Sequence, residues 1–228
     1  MSVCNGKRIV TDELSLCLDA SNLKSYIDGS STWHDMSKEK NNATLFGVER
    51  GASVNSVMFS SNGHHGVISN YFVQTPSTLT VSSWFSISSG GGIQCVLHKN
   101  TTGSFVGGSE YWIGTGQNSN RLCATIGATE VGWRAGLTDI DVPHNTWVYV
   151  CATWNGSVVK VYVNGKFIKL YNLPSLPTTE GITLLGASST MGAYQFFGEL
   201  GKVEVYNKYL SAAEIFYNYM SNRKQFGV

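Results

Sequence analysis

The side chains here that could transfer protons, hold a metal or act as nucleophiles are fifteen acids, five histidines and five cysteines. Two carboxylates that cleave a glycosidic bond must flank it, which on a strand means alternate positions on one face. Glu199 and Glu204 have opposite parity and are expected on different faces. Asp139 and Asp141 have the required spacing, but they run into Pro143 and read as a loop; Glu110 and Glu130 stand apart. His64-His65 follows Asn62-Gly63, so it and His34-Asp35 read as exposed loop groups, while His98 and His144 are isolated. Cysteines 4, 17, 95, 123 and 151 are odd in number and form no C-x-x-C. The last four lie in alternating apolar runs, where a reduced thiol behaves as a small hydrophobe. No Ser/His/Asp set stands out, and no Gly-rich loop opens a helix able to cradle phosphate. The expectation is a protein that is not an enzyme.

The elements that must position these groups are strands. Charged residues make up only 14% of the chain, against roughly 25% in an average soluble protein. The balance is Ser, Thr, Asn and 25 glycines, a mixture suited to short strands and tight turns. Leu14, Leu16 and Leu18 alternate onto one face. In Thr78–Ile87, Leu79, Val81, Phe85 and Ile87 share one parity while Thr80, Ser82 and Ser86 take the other, which predicts a strand with one buried face. Thr146–Trp154 is apolar at both parities and predicts a central strand. Asn155-Gly156 and Asn164-Gly165 follow as type I′ hairpin signals, so a three-strand meander should span residues 146–171.

One helix is legible. Ser211-Ala-Ala-Glu214 is a capping box, with Leu210 and Ile215 placed as its hydrophobic staple. Ile215/Tyr219 and Phe216/Met220 pair at i, i+4 on a face expected to pack on a sheet, and the helix should end near Asn222. No linker divides the chain. The reading is an all-β, two-sheet antiparallel jelly-roll sandwich with one short C-terminal helix, in a single domain over residues 13–228 preceded by an arm at 1–12. A formal charge of +1 and scattered Lys and Arg argue against nucleic acid as a partner. No run approaches the ~20 apolar residues of a membrane span, and Met1–Asp12 has no apolar signal core. The expectation is therefore no membrane, with synthesis in a cytosol.

Two segments carry a family resemblance. Trp147–Lys166, with its Thr153-Trp-Asn-Gly156 and Tyr162-Val-Asn-Gly165 turns, and Phe197–Ile215, closing on Tyr206-Asn and Leu210-Ser-Ala-Ala-Glu-Ile215, resemble the laminin G-like, concanavalin A-like lectin/glucanase superfamily. Ile9–Asn22, Thr32-Trp-His-Asp-Met-Ser37, Asn41-Asn-Ala-Thr-Leu45 and the ending Asn218–Val228 resemble the versions of this domain found in tailed-phage (cyanophage-like) virion proteins. The resemblance implies a non-catalytic virion accessory protein, a head decoration or a neck or tail appendage. Its partners would be other virion proteins and further copies of itself, with Ser21–Asn55 and the amino-terminal arm as contact elements. The glucanase branch would need a Glu-x-Asp-x-x-Glu-like strand, which is missing from this sequence. The alternative is a carbohydrate-binding lectin module for host surface glycans, with Ca2+ as cofactor. Trp33, Trp112 and Trp133, near expected loop ends, are its candidate sugar platforms, and Asp19, Asp28 and Asp35 its candidate metal ligands. Trp84, Trp147 and Trp154 lie within strand runs and are assigned to the core.

Overall fold

Alternating apolar side chains bury one face of each strand, and two such faces closing on one another make a sandwich. The computed structural model describes residues 9–52, 55–68, 76–90, 92–100, 109–116, 120–176, 181–190 and 193–228. In chain order the strands are β1 (Leu14–Asp19), β2 (Thr32–Trp33), β3 (Ala43–Phe46), β4 (Glu49–Arg50), β5 (Val57–Phe59), β6 (His65–Ile68), β7 (Leu79–Ile87) and β8 (Cys95–Asn100). They continue with β9 (Ser109–Gly116), β10 (Arg121–Ile126), β11 (Leu137–Asp141), β12 (Trp147–Trp154), β13 (Val158–Val163), β14 (Lys166–Asn172), β15 (Thr183–Leu185) and β16 (Gly198–Tyr206). A one-turn helix α1 (Ala128–Val131), the helix α2 (Ala212–Asn222) and 3-10 turns at Trp133–Gly136 and Arg223–Phe226 complete the order.

The first sheet runs β14-β13-β12-β7-β16-β5-β4, with β1 also on β16; the second runs β11-β10-β9-β8-β15-β6-β3-β2. Every pairing is antiparallel. Val81, Phe85, Val148, Val150, Val203 and Val205 of the first sheet meet Leu97, Ile113, Leu122 and Leu185 of the second in one core. Full burial of side chains of this size stabilises by ~1.5–3 kcal/mol each. The architecture is the expected two-sheet antiparallel jelly-roll sandwich with a short C-terminal helix.

The meander forms as the sequence predicts, but its two turns differ. Asn164 (φ 49°) and Gly165 (φ 74°) both take positive φ, as a type I′ turn requires. At the other turn only Gly156 does (φ 97°). There the Asn155 side chain accepts bonds from the Ser157 and Val158 amides, closing a three-residue connection.

The polar parity of β7 was expected in solvent, yet the whole strand is buried. On the outer face of the first sheet Ser82 donates to Glu204, and Thr80 is bonded to Thr153 and to the Lys208 carbonyl in the segment that leads into α2. Across this face Cα partners line up in rows: Asp19, Lys202, Trp84 and Tyr149 form one, and Cys17, Glu204, Ser82, Cys151 and Tyr162 the next. Ser211 and Glu214 make the reciprocal capping box, and Ile215, Asn218 and Asn222 point down. Asn218 donates to the Tyr206 hydroxyl and accepts from the Val10 amide, while Asn222 accepts from Lys202. Phe226 then stacks on Trp84 at 4.6 Å. One half of the helix expectation fails. Phe216 and Met220 remain 49% and 42% exposed, because they lie about 100° round the helix from the Ile215 stripe.

Candidate functional site

The six residues singled out for ligands and metal do not converge. Trp33 is fully buried between the sheets, edge-on to Tyr26 at 6.3 Å, and has no face to offer a sugar. It reads as a loop tryptophan because its neighbours are polar, but those neighbours are tied down by side-chain hydrogen bonds and not by solvent. Trp112 lies on the outer face of the second sheet, yet His98 at 5.3 Å and Tyr194 at 6.3 Å enclose it, so it too is buried. Trp133 opens a 3-10 turn, and its side chain lies outside the described residues.

The aspartates fare similarly. Both Asp35 oxygens are taken: one accepts from the Cys17 and Ser37 amides, the other from the Ser37 hydroxyl and the Asn41 amide. Asp19 accepts from the Ser21 amide and hydroxyl and faces Lys202 Nζ at 3.6 Å. Asp28 is exposed. Among the described residues no group of three or more His, Cys, Asp or Glu is placed to hold a metal. Asp19 and Asp35 are thus committed to protein partners and are not arranged as Ca2+ ligands.

The carboxylate pairs also change. A register shift between Leu200 and Lys202 makes Gly201 an extra residue in β16. Glu199 faces Ser86 and Glu204 faces Ser82, so the two glutamates share a face after all. Their rows are still four strand positions apart, about 13 Å, beyond the ~5–9.5 Å of a glycosidase pair. Glu204 is moreover buried with Lys202 at 3.1 Å, and Glu199 accepts a bond from Ser56. Asp139 and Asp141 belong to the edge strand β11, not a loop, and lie 3.7 and 4.0 Å from Arg121. Both are in solvent, without the apolar enclosure a general acid needs. Glu110 is buried against Lys99.

Cys17, Cys95, Cys123 and Cys151 are reduced and buried, and burial pushes the Cys123 thiol up to about 12. Burial also holds His98 down at about 4. His65 is not the exposed loop group expected: it starts β6, is mostly buried, and its Nδ1 is 2.7 Å from the Gly63 carbonyl.

Two surfaces have the shape of binding faces. On the outer face of the second sheet, one row runs from Thr125 through Trp112, His98 and Leu184 to Val67, Thr44 and Thr32. Its β10–β15 half is buried, whereas Thr44 is exposed and Val67 and Thr32 half-exposed. On this open half Phe46, 46% exposed, stacks on His65 at 4.7 Å with the rings 14° from parallel. The second surface joins β14 to α2. Phe167 and Leu170 of β14 are 51% and 53% exposed, and α2 exposes Phe216, Tyr217 and Met220, with Phe216 against the Gly165 turn that leads into β14. Neither surface is announced by a motif. Both come from apolar residues on faces that alternation assigns to the core or to solvent.

Several solved structures share the fold. Trypanosoma rangeli sialidase in complex with sialic acid matches at 17% identity and TM-score 0.71, over 98% of this chain and 35% of that one. A second structure of Trypanosoma rangeli sialidase matches at 16% identity and TM-score 0.67, over 93% and 33%. The botulinum neurotoxin serotype D binding domain matches at 16% and 0.61, over 93% and 52%. This chain thus spans about a third of the sialidase, and at such identities the likeness concerns the fold alone. No curated protein matches in sequence. The family model for the concanavalin A-like lectin/glucanases superfamily, Laminin_G_3, matches residues 59–216, more than half of the sequence, and the chain belongs to that family.

Proposed function

We propose that this chain acts without catalysis as an adhesion module of a tailed-phage particle, a decoration or an appendage, held to other virion proteins. The apolar surface of β14 and α2 carries this reading. Of the nine large hydrophobic side chains exposed among the described residues, Phe167 and Leu170 lie on β14 and Phe216, Tyr217 and Met220 on α2, and exposed apolar surface of this kind marks interaction sites. The virion setting is supported by the resemblance of residues 9–45 and 218–228 to phage versions of the domain. Cryo-electron microscopy of the purified particle tests it. The sandwich should appear with its helix side against a neighbour, and a particle that lacks the protein ends the reading.

A second reading is favoured by Phe46. An aromatic ring fixed by His65 on an open sheet face, beside the Thr44 and Thr32 hydroxyls, has the chemistry to stack on a sugar ring. The sialidase solved in complex with sialic acid, which shares the fold, is consistent with this reading. On a glycan array, Phe46→Ala should weaken saturable binding about threefold to tenfold, the equivalent of ~0.5–1.5 kcal/mol. Binding that ignores this change rejects the face as the sugar site.

A further inference from the structure

The sheet edge beside the apolar surface has its own chemistry. β14 is the end strand of the first sheet and pairs with β13 alone among the described residues. An end strand turns a row of backbone N–H and C=O groups outward, a template for one more strand. Val161 pairs with Lys169 and Tyr162 with Phe167, so Ile168 is the extra residue of a bulge. That bulge puts Phe167 and Leu170, three positions apart, on the same exposed face, opposite Tyr162 and Lys160. Phe216 continues the apolar surface over the hairpin, where a Cβ on Gly165 would come within 3.1 Å of its ring.

Charge selects among occupants. From Val142 to Thr179 the sequence has no acidic residue, and the β12–β14 meander carries Lys160, Lys166 and Lys169. Lys166 is exposed at the start of β14, while Lys169 turns inward to donate to the Leu137 carbonyl. A second copy joined through this edge would set basic strand against basic strand. A lipid surface would leave the backbone groups unanswered. An extended chain bearing carboxylates meets both demands.

We propose that the open edge of β14 docks an extended acidic segment of another protein, which adds to the first sheet as a further strand, its apolar side chains on Phe167 and Leu170 and its carboxylates toward Lys166. This rests on the adhesion reading and names the chemistry of the partner. The test uses the full chain and a dye-labelled nine-residue peptide alternating Glu and Val, followed by fluorescence anisotropy. Saturable binding is expected, with Lys166→Glu and Phe167→Ser each weakening it about tenfold. Both residues are exposed, so circular dichroism should show both variants folded. Hydrogen exchange of the β14 amides should slow when the peptide is bound. Absence of binding overturns the proposal. So does equal binding of a Lys-Val peptide, binding that leaves β14 exchange unchanged, or indifference to both substitutions. Dimerisation through this edge, or capture by phosphatidylserine vesicles that Phe167→Ser abolishes, assigns the face to a different occupant. A particle or glycan bound normally by a chain that ignores the peptide leaves the adhesion reading standing and sinks only this one.

Discussion

His98 shows how a single buried base makes stability depend on pH. It is enclosed beside Trp112 and held neutral, with its affinity for a proton lowered to about 4 by burial. In the unfolded chain it titrates near 6.5. Above that value both states are neutral and His98 adds no pH dependence. As the pH falls from about 6.5 toward 4 the unfolded state takes the proton first, so about 3 kcal/mol of stability is withdrawn. Urea unfolding at pH 7.5 and pH 4.5 should show this loss, and His98→Gln should flatten it. An unchanged difference between the two pH values would mean that another group governs the fall. Single residues also mark where sequence reading stops. Trp33 and Asp35 sit in a polar stretch that alternation treats as loop, yet a carboxylate accepting four bonds makes that stretch a fixed wall of the core. The bonds from Ser37 and Asn41 are local, but the one from the Cys17 amide reaches 18 residues back to β1 and no residue type signals it, which is why Trp33 reads as a surface ring and Asp35 as a metal ligand.

At the scale of elements, local rules succeed where local energies dominate. Asn164-Gly165 and the Ser211/Glu214 cap are satisfied within four residues, and both form as the sequence predicts. Ser211→Ala removes the hydroxyl that accepts from the Glu214 amide, and should destabilise the fold by about 1 kcal/mol. Thermal melting followed by far-ultraviolet dichroism would register it, and an unchanged midpoint would show that packing alone holds the helix. Bulges defeat the same reasoning. Gly201 and Ile168 each insert one residue, and each re-phases everything beyond it, bringing Glu199 onto the face of Glu204 and Phe167 onto the face of Leu170. Gly201 has a steric reason to be glycine, since a Cβ there would lie 2.3 Å from the Phe226 ring. That contact joins residues 25 positions apart, and period-two counting does not see it.

At the scale of the whole molecule, two of the buried layers among the described residues differ in character. Between the sheets the filling is aliphatic and aromatic. Beneath α2 the first sheet buries Lys202 between Asp19 and Glu204, with Asn218, Asn222 and Ser82 completing the bonds. Lys202→Met removes the cation that the buried Asp19 and Glu204 face and should cost about 3–5 kcal/mol, seen as a lower urea midpoint. A loss below 1 kcal/mol would show that water already reaches the layer. Fold class was legible because both sheets repeat one signal many times. The polar layer was not, because serine and threonine on a strand look the same whether water or a helix covers them.

The tie between the Val10 amide and Asn218, with Ile9 and Phe226 in one cluster, gathers both described ends of the chain on the helix side. Phe46 and its neighbours occupy the outer face of the opposite sheet. A surface or carrier that grips the protein near Ile9 or Phe226 will therefore leave the Phe46 face pointing away from it, while β14 stays at the flank. Orientation in any array, on a chip or on a larger body, follows from the gathering of those residues on the helix side.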